Sequence, residues 1–292
     1  MNARSWSFDP PAALLQSLLT MTIMVEARDP YTGGHMWRVS RYCQLLAEAA
    51  GLSEAQVARV TVGGFLHDLG KVGVPDAILR KPNRLTDAEY ATIQTHPDIG
   101  ARLLATHPLR ALVMDAVHSH HEMPNGKGYP RGLAGQDIPL AARITGICDA
   151  FDAMTSHRPY RPGMPVDVAL DIIERHLGSQ FDVALGERFI ELGRQGCFEG
   201  IVQHSDEGMP LHDCPQCGPT LVVQRDHEEG HKLFCPNCGG GAVVHRQDGR
   251  LAVTPVDEKA SPRDLVPEVD YGLIDRLVGT VRPALLPDTQ AV

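Results

Sequence analysis

Residues 65 to 86 read FLHDLGKVGVPDAILRKPNRLT, and this stretch joins two segments with helical patterns. Upstream, Ser53 and Gln56 have the spacing of a capping box, which predicts a helix that runs to about His67. The helix gives way to a Gly- and Pro-rich loop over residues 70 to 85. Long irregular loops inside compact domains are usually functional. The stretch therefore predicts a helical domain with a functional loop at a helix end.

The helical pattern continues on both sides, from Pro11 to about Gly200, with apolar residues recurring at steps of three and four. Thr86 and Glu89 form a second capping-box signature. A second Gly- and Pro-rich loop covers residues 122 to 139. Aromatic residues make up only 5% of the chain, which favours helices over a β-sandwich. We predict a mainly α fold.

The composition changes near residue 205 and divides the chain into three predicted parts. Residues 1–205 form the helical domain. Residues 206–250 contain short Val-rich runs, Gly-rich turns and paired cysteines, which predict a small β-rich module. Residues 251–292 begin as a Pro-rich, charged linker, followed by one possible short helix from Tyr271 to Val281.

The net charge of −9 disfavours binding to duplex nucleic acid or to an anionic membrane. No apolar signal segment follows Met1, and we expect no membrane span. Four of the seven cysteines lie in C-x-x-C pairs, a pattern typical of a metal site in a reduced compartment. These features predict a cytoplasmic protein. Since the helical pattern starts at Pro11, we expect no sensory domain before it.

Seven histidine and aspartate residues of the helical region are candidate metal ligands. Most of the 14 histidines of such a chain would be surface residues, but two adjacent pairs, HD and HH, each fall where a helix meets a loop. Imidazole and carboxylate together suit iron, manganese, cobalt or zinc, and we expect iron or manganese. Asp68 is the candidate to bridge two metals. The candidates are His35, His67, Asp68, His96, His120, His121 and Asp149.

The cysteine pairs predict a second, structural metal site. Cys214 and Cys217 are separated by 17 residues from Cys235 and Cys238, and a Gly follows each pair. Four thiolates close a tetrahedral zinc site without an open position. The module resembles a zinc ribbon. With four Lys and Arg against seven Asp and Glu in residues 206–250, we expect a protein partner or a folding role.

Four separate motifs resemble the HD-GYP family, a branch of the HD superfamily of metal-dependent phosphohydrolases whose members degrade cyclic di-GMP. They are DPYTGGHMWRVSRY (29–42), the stretch 65–86, HHEMPNGKGYPRGL (120–133) and ICDAFDAMTSHRPYR (147–161). The resemblance covers roughly residues 12 to 195. It implies an HD-type helical bundle followed by the zinc ribbon.

The resemblance also implies how the ligands divide. His35, His67, Asp68 and Asp149 would serve one metal, and Asp68 with His96, His120 and His121 the other. Some family members hold a third metal through a Glu four residues before the first His. Tyr31 stands at that position here, so we expect two metals.

A cyclic dinucleotide carries two phosphodiester charges and needs cations beyond the metals. Lys71 follows the HD pair and is a candidate both to bind substrate and to stabilise charge during catalysis. By resemblance, the other substrate-binding residues are Gly128, Tyr129, Asp152, Arg158 and Arg161. Two departures from the family pattern, Asn125 for Asp and Val183 for Pro, leave the candidate ligands intact.

The leading hypothesis is a cyclic di-GMP phosphodiesterase, in which a hydroxide held between two metals attacks a phosphodiester to give the linear dinucleotide. Whether a second cleavage to GMP follows is left open. A non-catalytic cyclic di-GMP receptor and an HD hydrolase of another nucleotide phosphate ester are the alternatives. The apolar tail from Tyr271 to Leu286 is predicted to dock on the ribbon or on a second subunit in a homodimer.

Overall fold

A computed structural model describes residues 10–28, 33–81, 83–157, 161–247, 250–266 and 268–285. The first part is helical. Its helices are α1 (Pro10–Glu26), α2 (His35–Ala49), α3 (Glu54–Leu66), α4 (Asp76–Leu79), α5 (Asp87–Ile93), α6 (His96–Leu104), α7 (Arg110–Ser119), α8 (Leu140–Thr155), α9 (Val166–Arg175) and α10 (Val183–Arg194). None of the helices in these ranges has the length and apolar character that a bilayer span requires.

Short antiparallel strands follow. They are β1 (His204–Asp206), β2 (Met209–Pro210), β3 (His212–Cys214), β4 (Gly218–Leu221), β5 (Lys232–Phe234), β6 (Gly240–Gln247) and β7 (Arg250–Lys259), and a last helix, α11 (Tyr271–Leu285), ends the described chain. The strands pair as β1 with β2, β3 with β4, and β5, β6 and β7 in that order. The predicted mainly α fold with a small β-rich module is confirmed.

Both predicted capping boxes form and set where α3 and α5 begin. The Ser53 amide donates to Gln56 Oε1 at 3.0 Å, and the Thr86 amide donates to Glu89 Oε2 at 2.7 Å. A capping box satisfies amides that the first helical turn leaves without partners. The two helices therefore begin at the residues that the sequence pattern indicates.

One large apolar core holds the helical part together, with α2, α3 and α8 at its centre. Four aromatic side chains, from Tyr42, Phe151, Phe189 and Phe198, pack edge-on or tilted in its middle. Arrangements of this kind stabilise a core beyond the area that they bury. The core fixes α2 and α8 against each other, and both helices carry candidate ligands.

Two expectations about the C-terminal part are wrong. The linker predicted from residue 251 is strand β7, which pairs with β6 over its length, so the sheet continues to Lys259. Helix α11 packs on α1 and α3 of the helical part rather than on the ribbon, and it buries Ile274 and Val281 in the main core. The helical domain is therefore built from residues on both sides of the ribbon.

Two glycines permit close contacts that position the candidate site. A Cβ on Gly70, in the 3₁₀ turn Leu69–Gly73, would lie 1.9 Å from the carbonyl oxygen of His96. Gly34 has φ of 72° directly before α2, and a Cβ there would lie 2.5 Å from Cα of Ser205 in β1. A side chain at either position would push apart elements that bring ligands together.

Candidate metal centre

The seven predicted ligands converge from five helices and the loops at their ends. His35 begins α2, His67 and Asp68 follow α3, and His96 begins α6. His120 and His121 follow α7, and Asp149 lies within α8. Side chains that project from facing helices and their ends are a common way to build a metal site in a helical bundle.

The ligand atoms form two groups of three. One group is His35, His67 and Asp149, and the other is His96, His120 and His121. Within each group the candidate ligand atoms lie within 4.8 Å of one another. Nitrogen and oxygen donors this close are the arrangement that a borderline divalent metal ion requires.

Asp68 lies between the two groups, with one carboxylate oxygen towards each. Its Oδ2 is 3.6 Å from Nε2 of His35 and 3.4 Å from Nε2 of His67. Its Oδ1 is 3.3 Å from Nε2 of His96. One carboxylate can therefore contact both halves of the centre, which is the geometry of a bridging ligand.

The outward-facing nitrogens of the imidazoles are held by the protein. His67 Nδ1 donates to the Gly64 carbonyl at 2.7 Å, and His96 Nδ1 donates to the Ile93 carbonyl at 2.8 Å. His120 bonds the Ala116 carbonyl in the same way at 2.9 Å. These bonds fix the proton on Nδ1. Nε2 then points inward with its lone pair available to a metal ion, as in known metal sites.

His67 provides the clearest sign that the centre fits a metal ion. Its Nε2 is buried and has no hydrogen-bond partner within the described ranges. A buried polar atom without a partner is costly and rare in folded proteins. A cation at this point would satisfy His67 Nε2, and the surrounding donor set of imidazoles and carboxylates suits one.

The charge states differ between the two ligand groups. Burial opposes protonation of His35 and His67, but the neighbouring aspartates outweigh it and raise the pKa of both imidazoles. Burial, followed by the effect of His96, lowers the pKa of His121 to about 3, and burial also lowers the pKa of His120 and His96. These imidazoles are therefore neutral at pH 7 and can bind a metal. Burial opposes the ionisation of Asp68, but Lys71 and His67 outweigh it and hold its pKa well below the ordinary value.

A cavity of about 240 Å³ lies beside the centre. It is lined by His120, His121, Asp149 and Tyr129, among other residues. The Tyr129 ring stacks on His121 with ring centroids 4.6 Å apart. The aromatic residue predicted to contact substrate thus lines the cavity beside the candidate site.

These features match a family model. The model described as HD domain matches residues 20–185, which is more than half of the chain and contains all seven candidate ligands.

The chain belongs to the HD domain family.

Curated relatives of this HD domain include two phosphodiesterases. The 3'3'-cGAMP-specific phosphodiesterase 3 of Vibrio cholerae is 41% identical over 160 residues, covering 54% of this chain and 35% of that protein. The cyclic di-GMP phosphodiesterase response regulator RpfG of Xanthomonas campestris is 39% identical over 169 residues, covering 57% and 45%. The chain therefore spans less than half the length of either relative.

Among solved structures, the chain is similar to Bd1817, a HDG"Y"P protein from Bdellovibrio bacteriovorus. The two share 22% sequence identity with a TM-score of 0.48, over 57% of this chain and 53% of that one.

Lys71 lies in the HD domain where the sequence pattern indicates, next to the candidate bridging residue. Its Nζ is 2.6 Å from Asp68 Oδ2. A cation this close keeps the carboxylate ionised. The predicted role in substrate binding and charge stabilisation stays a prediction.

Two predicted substrate-binding residues lie in other places. Asp152 is buried behind His35, and its oxygens accept from His35 Nδ1 at 2.8 Å and from Arg38 Nε at 2.6 Å. The guanidinium of Arg161 donates to the carbonyls of Ala153 and Met154 at the end of α8. Asp152 thus orients a candidate ligand, and Arg161 satisfies a helix end. Arg158, like Tyr31, lies outside the described residues.

The loop after α7 is ordered by its own contacts. A Cβ on Gly128 would lie 2.4 Å from the amide nitrogen of Met123, so the close approach that this glycine permits is to the chain itself. The buried Glu122 carboxylate accepts from the amides of Arg131 and Leu133, each at 2.8 Å. Asn125 Oδ1 accepts from the backbone amide of Lys127 at 2.9 Å. The asparagine side chain therefore closes this turn, as an aspartate could.

Arg38 is a positioning residue that the sequence analysis missed. It is 2% exposed, and its guanidinium donates to both oxygens of Asp152, through Nε at 2.6 Å and Nη2 at 3.0 Å. Its Nη1 donates to the carbonyls of Gly33 and His204, at 2.7 and 2.9 Å. The sequence does show an arginine three residues after His35 on the same helix. It gives no indication that this arginine pairs with Asp152, 114 residues further along the chain.

We expect Arg38→Met to lower the affinity of the centre for divalent metal by about 10- to 100-fold, because Asp152 would lose the partner that orients its carboxylate towards His35. The variant should also lower the free energy of unfolding by about 3–5 kcal/mol, since it removes the cation that pairs with a buried carboxylate. Metal titration and urea unfolding measure the two effects. Arg41→Met, on the same helix with a bond to Gln44, is the matched control. Equal metal affinity in Arg38→Met and Arg41→Met would contradict the positioning role.

The four predicted zinc ligands also come together. The sulfurs of Cys214, Cys217, Cys235 and Cys238 lie within 4.8 Å of one another, and those of Cys214 and Cys238 are 3.5 Å apart. Backbone and side-chain donors reach two of them, with Asn237 Nδ2 at 3.1 Å from Cys217 Sγ and the Gly240 amide at 3.4 Å from Cys238 Sγ. Such donors stabilise thiolates, and four sulfurs suit a closed zinc site.

Proposed function

We propose that the chain is a cyclic di-GMP phosphodiesterase that uses two divalent metal ions, iron or manganese, and acts in the cytoplasm. The observation that carries the proposal is the position of Asp68, whose two oxygens each face a separate three-residue group beside an open cavity. A mononuclear site or a simple nucleotide receptor has no need of a carboxylate between two complete groups.

In this proposal the residues divide as the ligand groups do. His35, His67 and Asp149 hold one ion, His96, His120 and His121 hold the other, and Asp68 bridges them. Two ions held in this way would supply Lewis-acid stabilisation of the phosphoryl group and a nucleophile at neutral pH.

The chain itself positions and balances the charge of the substrate. Lys71 lies beside the centre and provides a cation for the developing phosphoryl charge. Tyr129 offers a ring in the cavity lining on which a purine can stack. Gly128 allows the Tyr129 amide to bond the His121 carbonyl at 3.2 Å, which places that ring.

The substrate class rests on the GYP-type loop and on relatives named for cyclic dinucleotides. We propose the linear dinucleotide as the first product. We also propose one structural zinc in the cysteine cluster. We place the helical domain at residues 10–203 together with α11, and the ribbon at 204–259.

The experiment is turnover of a substrate panel by anaerobically purified protein whose metal content is measured on the same sample. The panel contains cyclic di-GMP, 3'3'-cGAMP, cyclic di-AMP and a nucleoside monophosphate. We expect cyclic di-GMP to be cleaved with the highest kcat/KM and the linear dinucleotide to accumulate first. Tight binding of cyclic di-GMP without cleavage, in protein carrying two metals beyond zinc, would favour a receptor instead. Faster cleavage of the monophosphate would favour the alternative in which the chain hydrolyses another nucleotide phosphate ester.

A further inference from the structure

A second cavity, also of about 240 Å³, lies between the helical domain and the ribbon. One wall contains Glu26, Gly34 and Trp37 of the helical domain, and the opposite wall contains His227 and His231 of the ribbon together with Glu268. The proposed phosphodiesterase activity uses none of the last three residues. They form a separate group of possible metal ligands.

The three ligand atoms are close together. Glu268 Oε2 is 3.4 Å from Nε2 of His227 and 4.0 Å from Nε2 of His231. These separations resemble those around His67 in the main centre, which are 3.4 and 3.7 Å to the nearest carboxylate oxygens. Two imidazoles and one carboxylate are also a donor set that divalent transition metals favour.

His227 provides an independent sign that something binds here. It is 6% exposed, and its Nε2 has no hydrogen-bond partner among the residues that the structure describes. The same is true of Nε2 of His67 in the main centre. A buried imidazole nitrogen that faces a carboxylate at 3.4 Å without a good hydrogen bond is in a suitable position for a cation.

We propose that His227, His231 and Glu268 bind one divalent transition metal ion of the zinc class, at a site distinct from the main centre and from the cysteine cluster. Three protein ligands leave at least one coordination position open, and the cavity provides space for it. The ion is exchangeable, in contrast to one enclosed by four sulfurs.

The site also differs from a metalloprotease site, although residues 227 to 231 read HEEGH. In proteases that use H-E-x-x-H, the two histidines lie on one face of a helix. Here residues 227–231 form a turn rather than a helix, so the two histidines lack that arrangement. The proposed site is therefore for binding, not for peptide hydrolysis.

Metal binding requires two local changes. The rings of His227 and His231 stack with centroids 3.9 Å apart and planes at 14°, so one ring must turn before both Nε2 lone pairs point at the ion. The Gln224 amide donates to His227 Nδ1 over 3.3 Å, which puts the proton of the neutral imidazole on Nε2. An ion at Nε2 takes the place of that proton, so Nδ1 becomes protonated and the long bond from Gln224 breaks. The turn at residues 224–227 shifts when the ion binds, and hydrogen exchange of the Gln224 amide becomes faster.

Occupancy would connect the two parts of the protein. His227 and His231 belong to the ribbon, whereas Glu268 leads directly into α11, which packs in the helical core. An ion shared by these residues ties the ribbon to the helical domain at the cavity that also borders Gly34, the residue before His35.

The test is zinc binding by the full chain, measured as zinc per chain after gel filtration and as the zinc dissociation constant by competition with a chelator. His231→Gln and Glu268→Gln are the test variants because both side chains are partly exposed and should fold normally. His245→Gln, an exposed histidine of the same module, is the matched control. We expect the wild type and the control to bind one more zinc per chain than the test variants.

The dissociation constant of that zinc should rise at least about 100-fold in the test variants, because even residues outside the ligand set change metal affinity 10- to 100-fold. Crystals soaked in zinc should show an anomalous peak between His227, His231 and Glu268. Equal zinc content in all four proteins, or no peak between these residues while the cysteine cluster shows one, would overturn the proposal. Cysteine thiols are titrated on each sample, so loss of zinc from the ribbon is recognised separately.

Discussion

Asp68→Asn is expected to lower kcat/KM for cyclic di-GMP by about 10³-fold or more. Loss of a charged bridging ligand removes several kcal/mol of stabilisation from the transition state, and each 1.36 kcal/mol is tenfold in rate. Asparagine has nearly the same shape but presents one neutral oxygen in place of two charged ones. The metal content should fall together with the rate, because the side chain faces both ligand groups.

The effect is measured by steady-state kinetics and metal analysis on the same preparation, with circular dichroism to verify the fold. Asp98→Asn is the matched control, since Asp98 is an exposed carboxylate that pairs with His118 at 2.9 Å outside the centre. If Asp68→Asn kept two metals and lost less than tenfold in rate, Asp68 would not be a bridging ligand.

Cys235→Ser should unfold the ribbon while the helical domain remains folded. Cys235 is 0% exposed, and its sulfur belongs to the cluster of four. Binding of structural zinc contributes about 10–16 kcal/mol in zinc-finger peptides, far more than a module of this size gains from its small apolar core. Hydrogen exchange should therefore show loss of protection in β3 to β7, with α2, α3 and α8 unchanged.

Cys197→Ser provides the comparison, because Cys197 is an exposed cysteine outside the cluster. It should leave both zinc content and exchange unchanged. A Cys235→Ser protein whose sheet stays protected would show that the ribbon folds without a closed four-sulfur site.

The local features of the helical domain could be predicted from the sequence because their causes are local. Capping boxes act over three residues, and the pairs His67-Asp68 and His120-His121 mark helix ends by their position before Gly-rich loops. The grouping of candidate ligands around Asp68 agrees with the division that the family resemblance implies.

Contacts between distant residues were harder to predict. Arg38 contacts Asp152 across the helical core, and no local sequence pattern predicts a pair of residues that are 114 positions apart. The same contact explains why Asp152 lies behind His35 rather than in the cavity. Residues 251–259 read as a linker because they contain Pro255 and several charges, but an outer strand tolerates both.

The position of α11 has a consequence for how the protein is made. This helix completes the helical core, yet it follows the ribbon in the chain. During synthesis, α1 and α3 leave the ribosome long before the side chains of Ile274 and Val281 that cover them. The nascent helical domain therefore keeps an exposed apolar face until the entire ribbon has emerged. A chain that stopped after the ribbon would leave that face accessible to chaperones and proteases.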